Sequence, residues 1–173
     1  MFHEVVIHHI PVNGHQAAAR YGNVIYPCCL GPSGIRLNKR EGDGTTPAGA
    51  WLLRYLLYRA DRMVRPRTGL PVFPIKPEDG WCDDAGSRHY NRPVRLPFAG
   101  SHERLWRDDS VYDLLVVLSH NNEPVVAGRG SAVFIHLQQP DGGPTAGCIA
   151  FRRNHLLHLL QGWTTDTKLV VPW

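Results

Sequence analysis

Glycine and proline punctuate this chain at short intervals, 17 Gly and 14 Pro among 173 residues. Inside a helix a glycine costs about 1 kcal/mol relative to alanine and a proline about 3 kcal/mol. A chain broken this often therefore favours short extended runs joined by turns over long helices. Residues 4–8 (Glu4-Val5-Val6-Ile7-His8) and 23–28 read as strands with turn signals between them. Residues 50–58 follow Pro47-Ala48-Gly49; their Leu and Arg also suit a helix. Apolar and aromatic residues fill both parities there and a Thr-Pro-Ala-Gly turn precedes them, so strand is the reading. Residues 110–119, with Leu114-Leu115-Val116-Val117-Leu118, and 132–136, with Val133-Phe134-Ile135, read as buried strands, and His136 ends the second. Residues 168–171 close as a strand. Two short helices are expected. One covers residues 154–162, with Asn154 as N-cap and Gly162 as stop. The other is a single turn over residues 101–106. No repeat, linker or low-complexity tract interrupts the pattern, so the chain reads as one mostly-β domain over residues 1–173.

Composition narrows the function classes. A chain of this length can bury one sizeable core, and 43% hydrophobic with 20% charged residues is ordinary for a globular protein. The formal charge is +4. That excess suits a solvated surface or mild attraction to an anionic polymer. The arginines are scattered and no aromatic–basic stripe appears, which argues against nucleic-acid binding. No run of about 20 apolar residues would cross a membrane as a helix. Met1-Phe2-His3-Glu4 lacks the basic start and apolar segment of a signal peptide. Of the four cysteines, adjacent Cys28 and Cys29 sit in an apolar run and read as small buried residues, since neighbours rarely reach disulfide geometry. No C-x-x-C pair occurs, and His155 and His158 have no third ligand at sensible spacing, so no metal site is expected.

The pair that carries chemistry lies near the C-terminus. His136 ends an apolar run, and Cys148 follows in Thr145-Ala146-Gly147-Cys148-Ile149. A thiol needs a nearby base to act as a nucleophile near neutral pH, and imidazole is the usual one. The spacing lets a strand run out, loop back and return the cysteine beside the histidine. Gly147 permits a tight turn with room for substrate backbone. A helix starting soon after Cys148 would aim free N–H groups at developing charge.

These residues resemble the active-site signature of the L,D-transpeptidase (YkuD-like) family, with Thr145 where the family usually has Ser. Upstream, Lys39-Arg40-Glu41-Gly42-Asp43-Gly44-Thr45-Thr46-Pro47-Ala48-Gly49 resembles a second family segment, as do Gly80-Trp81-Cys82-Asp83-Asp84, Tyr90-Asn91, Ser101-His102-Glu103 and Gly128-Arg129-Gly130-Ser131. The likeness spans roughly residues 30–171. It implies a β-sandwich whose Cys-bearing turn leads into a short helix. It also implies a cysteine acyltransferase, without cofactor, that joins peptidoglycan stem peptides outside the cytoplasmic membrane by 3→3 or 1→3 links. Cys148, His136, Gly147 and Thr145 are then the catalytic group. Trp81, Asp83, Asp84, Tyr90, Asn91, His102, Arg129 and Arg152 are candidate substrate contacts, with Asp83 or Asp84 suited to a substrate ammonium and Arg129 to a carboxylate. Two positions depart from the pattern: Ala146 stands where His is frequent, and Ala150 where Arg is usual. Two other outcomes fit the same residues: an L,D-carboxypeptidase or endopeptidase with water as acceptor, and a non-catalytic wall-binding module. Papain-like peptidases fit less well, because there the cysteine precedes the histidine.

Overall fold

The computed structural model describes residues 3–9 and 14–173; Met1 and Phe2, the start of the N-terminal segment discussed above, lie outside them. The chain is mostly β. Its strands are β1 (Glu4–His9), β2 (Gln16–Tyr21), β3 (Val24–Cys29), β4 (Ile35–Arg36), β5 (Thr46–Pro47), β6 (Gly49–Tyr58), β7 (Val72–Pro74), β8 (Asp79–Cys82), β9 (Pro93–Arg95), β10 (His102–Arg104), β11 (Leu114–Leu118), β12 (Phe134–Leu137), β13 (Ile149–Phe151) and β14 (Lys168–Val171). One helix, α1 (Arg153–Leu160), precedes the last strand.

Nine strands pair in the order β11-β12-β13-β3-β2-β1-β14-β6-β7, and β6 also pairs with β11. The two layers of the sandwich are thus hydrogen-bonded to each other through β6. The length of β6 makes this possible: residues 49–52 pair with β14, whereas residues 53–58 pair with β11 across a bulge at Val117/Leu118.

The apolar runs divide between two cores by strand parity, as period-2 side-chain alternation requires. In β11, Leu114, Val116 and Leu118 face the main core, and Leu115 and Val117 face a second cluster. In β12, Ile135 and Leu137 face the main core while Phe134 faces the second. Ile149 and Phe151 of β13 point inward, and Cys148, one residue before the strand, joins the second cluster. Burial on both faces explains why these strands read as continuous apolar runs. A small sheet, β10-β8-β9, contributes Trp81 to the second cluster, together with Ile75, Leu105, Val111 and Tyr112 from adjoining segments.

Two local expectations need correction. Residues 101–106 form no helical turn: β10 pairs antiparallel with β8, setting His102 opposite Cys82 and Glu103 opposite Trp81. A short polar segment took its conformation from a partner strand rather than from its own propensity. The helix also starts one residue earlier than read, at Arg153. Arg152 occupies the N-cap without a side-chain hydrogen bond, so Asn154 caps nothing. Packing of Leu156, Leu159 and Leu160 into the main core holds this short helix in place of a cap.

Candidate active site

Parallel pairing of β12 with β13 brings the histidine and the cysteine together. The register sets Ile135 opposite Ile149 and His136 opposite Ala150. Phe134 and Cys148 are one step earlier, so Cys148 and His136 emerge on the same outer face as diagonal neighbours. The Phe134 N–H donates to Cys148 Sγ at 3.3 Å, and the thiol donates to the Ala132 carbonyl at 3.1 Å. Burial pushes the thiol up to about 12, with the Glu103 carboxylate adding to the rise; the Phe134 N–H and the Lys39 ammonium act the other way.

The turn before Cys148 is cinched by Thr145. Its hydroxyl donates to the Cys148 carbonyl at 2.7 Å and accepts the Gly147 N–H at 3.1 Å. Gly147 has φ +132°, and a Cβ there would lie 2.6 Å from the Thr45 carbonyl oxygen, so no other residue fits without displacing backbone. The turn leads into β13 before α1 begins. The helix N-terminus is therefore not presented to Cys148, contrary to the expectation from the sequence.

His136 is buried, and its Nδ1 lies 2.8 Å from the Leu137 carbonyl. A carbonyl only accepts, so Nδ1 carries the hydrogen and Nε2 is left with its lone pair, the tautomer a base requires. Burial lowers the imidazole to about 4 despite that bond. The Tyr112 ring stands edge-on to His136 with centroids 5.4 Å apart. Tyr112 donates to Glu103 at 2.6 Å, so a carboxylate and a phenol adjoin the thiol–imidazole pair.

The residues named as substrate contacts fall into three groups. Trp81, Tyr90 and Asn91 are buried, and Trp81 shares the second cluster with Cys148. Trp81 packs edge-on to Phe134 and donates through its indole N–H to Asn91 Oδ1 at 2.9 Å. The same Asn91 oxygen accepts the Ala132 N–H at 3.1 Å, and its amide donates to the His120 and Asn121 carbonyls. Asn91 thereby fixes Ala132, itself at φ +51°, whose carbonyl holds the thiol. Tyr90 donates to Glu41 and accepts the Gly130 N–H at 3.0 Å; Ser131 also donates to Glu41.

Asp83, Asp84 and His102 form a second group at the β8–β10 edge. The buried Asp83 Oδ1 has no hydrogen-bond partner among the described residues. Asp84 accepts the Gly86 N–H in a turn, and His102 Nδ1 contacts the Gly100 carbonyl at 2.8 Å. The arginines lie apart. Arg129 is exposed, and its carbonyl contacts His120 Nε2. Arg152 lines a cavity of about 440 Å³ with Gln138, Gln139, Pro140, Asp141, Gly142 and Arg153. Arg153 is committed to Asp113 at 2.6 Å. Sequence reading did not single out Glu103, Tyr112 or the Ala132 carbonyl, and it named Lys39 only within a segment that resembles the family. Glu103 stood beside a flagged histidine, but only strand pairing shows that it faces the thiol.

A thiol and an imidazole on one sheet face, walled by a buried aromatic cluster, is the equipment of a cysteine-dependent acyl-transfer enzyme. The chain matches the YkuD family, L,D-transpeptidase catalytic domain, over residues 7–171, and it belongs to that family. No curated protein and no solved structure matches it. Membership brings L,D-transpeptidase-type activity, with peptidoglycan as the substrate and an extracytoplasmic setting as the family's usual place. Among the described residues no helix is long and apolar enough to cross a membrane.

Proposed function

We propose that this protein is a peptidoglycan L,D-transpeptidase in which Cys148 is the nucleophile and His136 its base. The reading is carried by one observation: β12–β13 register sets Cys148 and His136 on one sheet face, with His136 Nδ1 tied to the Leu137 carbonyl, within a chain of this family. At rest both groups are neutral and the thiol is turned to the Ala132 carbonyl. When a stem peptide enters, Sγ leaves that carbonyl and gives its proton to Nε2 as it attacks the carbonyl of an L-residue followed by a D-residue. The imidazolium returns the proton to the departing amine, leaving a thioester on Cys148. The amine of a second stem attacks the thioester, His136 takes its proton, and the thiol is regenerated with an amide cross-link formed. No metal or organic cofactor takes part in these steps. Thr145 and Gly147 hold the turn in place. Arg152 and Asp83 are kept in this reading as the candidate contacts for a substrate carboxylate and a substrate ammonium.

The test is incubation with purified disaccharide-tetrapeptide, with products weighed, for wild type and Cys148→Ala side by side. The reading requires a cross-linked dimer from wild type alone, and its fragment masses separate 3→3 from 1→3 links. Shortened monomers without dimer would indicate hydrolysis. No product from either protein, with the peptide still bound, would favour a wall-binding module.

A further inference from the structure

Lys39 is only 5% exposed, and lysines are almost never this deeply buried without a partner. Its ammonium donates to Asp43 Oδ1 at 2.9 Å and to the Thr45 carbonyl at 2.8 Å. Asp43 also accepts the N–H groups of Arg40 and Thr45 and the Thr45 hydroxyl. The loop is therefore closed by Asp43 through several neutral donors, and the lysine charge is not what closes it. The position of the ammonium is informative. A Cβ built on Gly130 would lie 2.9 Å from Lys39 Cε, and one on Gly147 would lie 3.1 Å from Nζ. Both glycines belong to the segments that hold the nucleophile: Gly147 precedes Cys148, and Gly130 leads to Ala132, whose carbonyl accepts the thiol proton. Glu103 from β10 and Lys39 act on Cys148 through their charges and Tyr112 before β11 adjoins it, while His136 of β12 shares its sheet face; Glu103 opposes ionisation and Lys39 favours it. His120 flanks the lysine.

We propose that Lys39 is an electrostatic positioning residue for the nucleophile, its ammonium seated against Gly147 by Asp43 so as to stabilise negative charge on Cys148 Sγ. Proton transfer from Sγ to His136 Nε2 creates a thiolate in a dry site, where an isolated charge is costly. A fixed cation beside the turn lowers that cost without itself exchanging a proton. The acyl transfer it serves rests on the function proposed above, but thiol ionisation can be read without any stem peptide.

The experiment is the pH dependence of Cys148 alkylation by iodoacetamide, located by peptide mass, with thermal unfolding recorded for each variant. Lys39→Met keeps the stem and removes the charge; Lys39→Arg keeps the charge; Asp43→Asn removes the neighbouring anion and loosens the loop. Lys39→Met should lower the alkylation rate at pH 8 by about tenfold, equivalent to a one-unit rise of the thiol, and Lys39→Arg should recover much of it. Asp43→Asn should melt lower yet alkylate at least as fast as wild type, because it leaves the cation uncompensated. If Lys39→Met and Asp43→Asn slow together in step with melting temperature, or if the Lys39→Met profile is unchanged, the proposal fails. Should Lys39→Met not fold, an Asp43→Asn rate below wild type overturns it. Because no stem peptide is present, failure of the transpeptidase reading leaves this readout intact.

Discussion

Cys148 and His136 are both neutral across the ordinary pH range, because burial lifts the thiol to about 12 and lowers the imidazole to about 4. A free cysteine protease-like ion pair is thus not what this resting pair forms; in the proposed mechanism ionisation waits for substrate. The depressed histidine keeps Nε2 bare to unusually low pH. The acid limb of kcat/KM, which reports the free enzyme, should therefore fall only as pH drops through about 4. A limb near the ordinary histidine value of about 6.5 would contradict this picture of the base. The backbone at Gly147 allows an equally direct check. Alanine there meets the Thr45 oxygen at 2.6 Å and needs φ +132°. Gly147→Ala should lose about 2 kcal/mol or more of stability and most turnover, whereas Cys148→Ala should lose turnover with its melting temperature retained.

At the scale of elements, β12 and β13 place the pair and the Asn91 side chain secures Ala132, whose carbonyl holds the thiol. Asn91 sits at φ +53° and satisfies the buried Trp81 indole, Ala132 N–H and His120 carbonyl and the half-buried Asn121 carbonyl. Leucine at this position would leave these unpaired. Asn91→Leu should cost about 3 kcal/mol in urea unfolding and slow acylation, because the Ala132 carbonyl would no longer be held. Asn91→Asp retains the acceptor for Trp81 and Ala132 and should cost less; equal losses would argue against this division of roles. The strands of this region were legible in the sequence because two-sided burial makes β11 and β12 continuous apolar runs. The pairing of His136 with Cys148 was legible from chain order and spacing. Residues 101–106 were misread because β10 is made by its pairing with β8, which leaves no local signal. Lys39, Glu103 and the Ala132 carbonyl reach Cys148 through loop closure and register, and neither is written in any short window. Trp81, Tyr90 and Asn91 were read as substrate contacts, but their side chains are spent on one another, on Glu41 and on backbone.

Across the whole molecule, a main core lies inside the sandwich and a second core outside β11–β13 holds Cys148 and the candidate site. The site therefore shares its buried histidines with the fold. His136 and His120 are both lowered to about 4 by burial, while their unfolded values lie near 6.5. Between those values the unfolded chain binds protons that the folded chain refuses, so stability falls as pH falls. Each histidine contributes a slope of up to about 1.4 kcal/mol per pH unit. Urea midpoints should be level above pH 7 and decline from about pH 6.5 downward, with a shallower decline in His120→Gln; midpoints flat to pH 5 would refute the buried neutral histidines. The central claim, that a thiol on this sheet face carries the acyl group, is tested most directly by acid-quenched intact-protein mass spectrometry after brief mixing with disaccharide-tetrapeptide. The predicted result is a transient increment equal to the donor fragment, mapped to Cys148, absent in Cys148→Ala and greatly reduced in His136→Ala. Turnover of the peptide with no covalent increment, or an increment that persists in Cys148→Ala, would contradict the account.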